Sequence, residues 1–246
     1  MSALQDILNT QWRMLTLRNV RPALDRFGAQ YLLYCFLIAI VVGAGRYWDN
    51  PRAFLLQKMG LGSAVYIVLL AAFFWLILMP LRPNHWTYRN VLVFVGLTAL
   101  PGLLYAVPVE RFMTMGGAQS ANAWFLFIVA SWRVLMLVAY LHGSAGLKGW
   151  EILTAMLLPL ALIVAFLAAL NLEQAAFSIM AGIPEEQRTP DDTSYFVVVM
   201  ITYLSFLASP ILIGCYIGVL VSRRKRLKEE ARRDEQPPSE DIADLP

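Results

Sequence analysis

Charge is scarce in this chain: Asp, Glu, Lys and Arg make up 15% of its 246 residues, hydrophobic residues 59%, and the mean hydropathy is +0.58. Soluble domains carry roughly a quarter charged residues. They also have no use for several uninterrupted apolar runs of about 20 residues, each long enough to cross a hydrocarbon layer of roughly 30 Å as a helix. A soluble fold is excluded. Cysteine is nearly absent, and the two present, Cys35 and Cys215, lie inside apolar runs. This argues against a disulfide framework or a clustered metal site and leaves both as small packing residues.

Histidine is equally short, with only His85 and His142 in the whole chain. His142 stands close to Ser144 in "LHGSAGLKGW", but near neighbours on a tight loop do not easily form the buried geometry of a nucleophile and its base. The sequence contains no H-E-x-x-H, no Gly-rich phosphate loop with Lys and no Gly-x-Ser-x-Gly elbow. The expectation is a protein without catalysis, cofactor, metal or nucleic-acid partner. Asp6, Arg13, Arg18 and Arg21 interrupt the N-terminal stretch where a secretory signal would need an apolar core, so no cleavage is expected.

What is present is an all-α pattern, a polytopic integral membrane helix bundle. The apolar runs predict about six spans, at 28–47, 61–81, 90–109, 122–142, 150–171 and 194–222. Helices satisfy their own backbone in lipid, and the alternation of a membrane barrel is missing. The predicted organisation is a cytoplasmic amphipathic segment at 1–26, a transmembrane domain at 27–222 and a disordered cytoplasmic tail at 223–246. With both termini in the cytoplasm, fourteen of the twenty Lys and Arg face inward, five face outward and Arg133 lies inside a span. That excess favours this orientation, and a bacterial inner membrane as its setting.

Before the first span, "LQDILNTQWRML" puts Leu4, Ile7, Leu8, Trp12 and Leu15 on one helical stripe, opposite Asp6, Asn9 and Arg13. Such a helix suits the headgroup layer, and packing against the short loops of the same protein is the open alternative. At the other end, Arg223, Arg224, Lys225 and Arg226 sit at a membrane edge. They serve as a topology signal or as a site for anionic lipid at about 1 kcal/mol per cation. The segment between spans five and six, "NLEQAAFSIMAGIPEEQRTPDDT", reads first as a short helix and then as an acidic, solvated loop.

Three features are candidate sites. The first is Arg133 in "WFLFIVASWRVLMLVAY", a cation near the middle of span four. Such a residue costs roughly 2.5 kcal/mol or more to insert and faces the bundle or a wet cavity. No acid lies at its depth, so its expected partners are carbonyls freed by Pro101, Pro159 or Pro210, with an anionic ligand as the alternative. The second is a charged set at the outer face, Arg46 and Asp49 in "GRYWDNPRA" with Glu110 and Arg111 in "YAVPVERF". These residues form either one network or a belt of interfacial anchors. The third is Gly214 and Gly218 in "GCYIG", whose small-xxx-small spacing lets another helix come close, from this bundle or from a second protein.

The two spans "WRVLMLVAYLHGSAGLKGWEILTAMLLPLALIVAFL", Trp132 to Leu167, resemble the helix, short loop, helix unit of bacterial members of the Yip1 family of small polytopic membrane proteins. The likeness rests on a Trp-Arg entry, a Gly-containing turn and a Lys-Gly-Trp restart. It implies a membrane-organising or partner-binding role and transfers no functional residue. The function expected from the sequence is that of a scaffold or regulatory partner among other membrane components or copies of itself. A small transporter or lipid-handling permease built around Arg133 is the alternative.

Overall fold

The computed structural model describes residues 2–20, 22–45, 59–170 and 193–234. These residues are helical, with no strand among them, and six stretches are long and apolar enough to cross a membrane. The chain begins with α1 (Ala3–Leu15) and continues through α2 (Leu24–Gly45) and α3 (Leu61–Leu78), which ends in a 3-10 turn at Met79–Leu81. Next come α4 (Tyr88–Leu97), which passes into a 3-10 segment at Leu100–Ala106, and a short 3-10 turn at Val109–Arg111. The last three helices are α5 (Met115–Gly143), α6 (Trp150–Ala169) and α7 (Thr193–Asp234). The end of the bundle that holds Leu24, Leu81, Tyr88, Gly143 and Trp150 is called proximal below, and the opposite end distal.

The third span is the centre of the bundle. Of its residues 61% are buried, against 0% in the last span, and every residue from Val91 to Leu97 is buried. Thr87 caps α4 by accepting from the Asn90 N–H at 3.2 Å. The α-helix stops at Leu97 because Pro101, four residues on, has no N–H to give. The tighter 3-10 path carries the chain onward with a longer rise per residue, so this short span still covers about 30 Å.

Neighbouring helices close on it through small residues and through side chains bonded to backbone. At the proximal end, Arg89 donates to the Leu24 carbonyl at 2.7 Å. Its guanidinium occupies the space beside Gly28, where an added Cβ would lie 1.1 Å from Nη2. Gly28 follows the one non-helical residue inside α2, Phe27, so the kink and the gap serve the same arginine. Cys35 of α2 packs against Gly96 of α4.

Three segments meet at the proximal end. Ser144 donates to the Val20 carbonyl, and the Asn84 N–H bonds to the Ala145 carbonyl at 2.9 Å. These bonds join the linker after α1, the turn after α3 and the α5–α6 turn. α7 is peripheral, packing along α6 with Tyr216 donating to the Ile77 carbonyl beside Pro80. It runs on as helix to Asp234, so the part of the predicted disordered tail from 223 to 234 is helical instead, and residues 235–246 lie outside the described set. The segment 171–192, predicted as a short helix and loop, also lies outside it.

Candidate functional site

The break in the third span organises the polar interior. Pro101 lacks the N–H that would serve the Leu97 carbonyl in an α-helix and the Thr98 carbonyl in a 3-10 helix, so one proline removes both partners. Side chains from two other helices replace them. Gln11 of α1 donates through Nε2 to the Leu97 carbonyl at 3.1 Å, and Arg133 of α5 donates through Nε to the Thr98 carbonyl at 3.0 Å. Among the freed carbonyls named in the sequence, the one at Pro101 is where Arg133 makes this bond. Gly102 leaves room for the guanidinium: an added Cβ there would sit 3.3 Å from Arg133 Nη2 and 2.8 Å from the Val42 side chain.

α1 supplies one wall of this seam. Ser2 and Gln5 form a reciprocal capping box at its start, with Ser2 accepting from the Gln5 N–H at 3.3 Å and Gln5 accepting from the Ser2 N–H at 3.1 Å. Tyr31 of α2 donates to Asp6 at 2.8 Å. Its single proton is thereby used, so Thr10 is the donor in the 2.7 Å contact between the two hydroxyls. Trp132 donates through Nε1 to the Leu15 carbonyl, an orphan at the end of α1, at 3.1 Å.

The buried face of α1 is rotated from the predicted stripe. Ile7, Thr10, Gln11 and Met14 are buried, while Leu4, Leu8 and Trp12 remain exposed at 51% or more. The helix docks on α2 and the third span along one side, rather than on the short loops, and leaves Leu4, Leu8 and Trp12 exposed along another. Asn9 and Arg13, on a third side, are exposed as well. An exposed apolar flank beside an exposed polar flank is the pattern of a helix lying in the plane of an interface.

A second cluster closes the proximal end. Glu151, in the first turn of α6, accepts from Arg223 at 2.5 Å and from Arg226 at 2.7 Å, and from the Lys148 N–H at 3.2 Å. Arg223 also donates to the Arg82 carbonyl at 3.4 Å and is only 5% exposed. Thus Arg223 is a buried latch between α6 and α7. Of the four consecutive cations proposed for lipid, only Arg224, Lys225 and Arg226 reach the surface. Sequence reasoning missed this pairing because Glu151 and Arg223 come from separate spans. The signal available was their matched depth, since each stands at the proximal end of its helix.

The outer-face set falls only in part within the described residues. Arg46 and Asp49 lie outside the described residues, as does the side chain of Glu110, whose backbone belongs to the distal 3-10 turn. Arg111 is exposed on that same turn. At Gly214 and Gly218 an added Cβ would meet nothing within 4 Å, so no helix among the described residues uses that face. Cys215, expected as a packing residue, is exposed beside them.

No protein-family model, curated protein or solved structure matches this chain.

Proposed function

We propose that this protein is a non-catalytic multi-pass membrane protein that acts as a scaffold or regulatory partner of other membrane components. The observation that supports this reading is the unused face of α7. A 42-residue helix packs along α6 and the end of α3 and presents Gly214 and Gly218 with no described residue in front of either. A small-residue face of this kind lets a second helix approach closely in lipid. The interior supports it too, since Arg133 is bonded to the backbone of the third span. The resemblance of Trp132–Leu167 to the Yip1 family points the same way.

The setting we propose is a bacterial inner membrane with both termini in the cytoplasm. The excess of Lys and Arg in the terminal segments and in the loops on their side supports it. The second reading, a small transporter or lipid-handling permease, is favoured by one observation: a cation beside a broken helix near mid-membrane, the arrangement from which transporters build sites.

The test is association in native-like bilayers. Gly214→Ile with Gly218→Ile should leave the monomer folded, because no described residue stands where the new side chains go. The pair should abolish cross-linking or co-purification seen with the unaltered protein. A chain that is monomeric and without specific partners in mild detergent and in bilayers would sink the proposal.

A further inference from the structure

Three segments of the proximal end each bring a cation to one place. The turn after α3 and the α5–α6 turn are joined by the Asn84 N–H, which donates to the Ala145 carbonyl at 2.9 Å. α7 reaches both turns through Arg223, which donates to the Arg82 carbonyl at 3.4 Å and to Glu151 at 2.5 Å. The carboxylate also accepts from Arg226 and from the Lys148 N–H. Arg82, Lys148 and Arg226 are therefore each one hydrogen bond from the Glu151–Arg223 pair, and four cations gather at one carboxylate. Glu229, further along α7, is four residues after Lys225 and so beside that lysine on the helix. Positive charge is in surplus, and Arg223 Nε has no acceptor among the described residues. Arg82 and Lys148 serve the latch through backbone atoms alone, a carbonyl and an N–H. Both residues are exposed, and neither forms an ion pair among the described residues.

We infer that Arg82 and Lys148 bind the headgroup phosphate of an anionic phospholipid in the proximal leaflet. Arg82 offers a planar fork to two phosphate oxygens, and Lys148 adds a compact charge from the adjoining turn. Basic sites between spans are suited to such headgroups. The depth favours a lipid over a soluble anion. Trp150, next to Glu151 at the start of α6, is 75% exposed, as an indole at headgroup level is. Just inward of the cations, Leu153 of α6 and Val221 of α7 are exposed too, so both helices carry apolar surface where the lipid's chains would lie. This site differs from the consecutive run Arg223–Arg226 read in the sequence. Arg223 is buried, and Lys225 is on the opposite side of α7 from it.

The test equilibrates the full chain with vesicles of equal parts phosphatidylglycerol and phosphatidylcholine, extracts it in mild detergent and identifies retained lipids by native mass spectrometry. The unaltered protein should enrich phosphatidylglycerol roughly 25-fold, fivefold for each of two cations at about 1 kcal/mol. Lys148→Gln should lower this to roughly fivefold, and so should Arg82→Asn, chosen because asparagine tolerates the left-handed backbone there (φ 49). The double variant should show no preference. Both substitutions spare the backbone bonds to Arg223 and Glu151, so the fold should be kept. Arg224→Gln with Lys225→Gln should leave the enrichment unchanged, and so should added inorganic phosphate. No enrichment in the unaltered protein, enrichment that survives the double variant, or enrichment lost only in the Arg224 and Lys225 pair would overturn the inference. Displacement of the lipid by inorganic phosphate would overturn it as well, by making this a site for a soluble anion.

Discussion

Gln11 and Arg133 donate to consecutive carbonyls of the third span, those of Leu97 and Thr98, from two different helices. An unsatisfied backbone group in hydrocarbon costs several kcal/mol, and a cation at mid-membrane costs about 3 kcal/mol by insertion measurements. Each is expensive alone, and placing them together offsets both. The same proline sets the position of α1 against the bundle, so the N-terminal helix is joined to the membrane core through the backbone it caps.

Arg133→Leu should therefore insert normally and lose stability, by about 2 kcal/mol for a buried acceptor left without its donor. Arg133→Gln keeps a donor and should recover part of that loss. Thermal unfolding in detergent measures both. Single cysteines at positions 129 to 137 should stay unlabelled by an impermeant thiol reagent in intact membranes. Labelling beside Arg133 would mean that water reaches it, and the transporter reading would then lead.

Pro101→Ala restores an N–H at the break and should weaken the need for the arginine. In that background Arg133→Leu should cost less than in the native sequence, with a coupling of about 1 kcal/mol between the two sites. Additive losses would show that the proline and the arginine act independently.

The flank of α1 formed by Leu4, Leu8 and Trp12 should lie in lipid. Leu8→Asp should speed trypsin cleavage after Arg13 and Arg18 in membranes at least fivefold, about 1 kcal/mol of lost docking. Asn9→Asp, on the exposed polar side, should leave cleavage unchanged.

The spans were legible because apolar length is a one-dimensional signal: the second span matches its predicted limits and the fifth starts where expected. Arg133 was legible as costly, and Pro101 as the source of a free carbonyl, because both follow from local chemistry. Gln11 was not, since a glutamine beside an apolar stripe looks like its polar border until a carbonyl is placed against it. The rotation of α1 was hidden for the same reason. Periodicity ranks apolar residues, whereas Thr10 and Gln11 are drawn inward by hydrogen bonds to Tyr31 and Leu97. Arg223 was taken for a surface cation because its neighbours are cations, and nothing in one dimension distinguishes it from Arg224.

That difference makes the sharpest contrast available at the proximal end. Glu151→Gln leaves Arg223 buried beside a neutral partner, and breaking a buried pair from one side costs about 3 kcal/mol. Arg226 is 45% exposed at the same carboxylate, so solvent screens its pair and Arg226→Gln should change stability by less than about 1 kcal/mol. The expected result is a α7 that comes away from α6 in Glu151→Gln, read as faster proteolysis in the segment after Ser222, with Arg226→Gln close to the unaltered protein. Equal effects from the two variants would mean that both arginines are surface charges and that the α6–α7 contact is held by apolar packing alone.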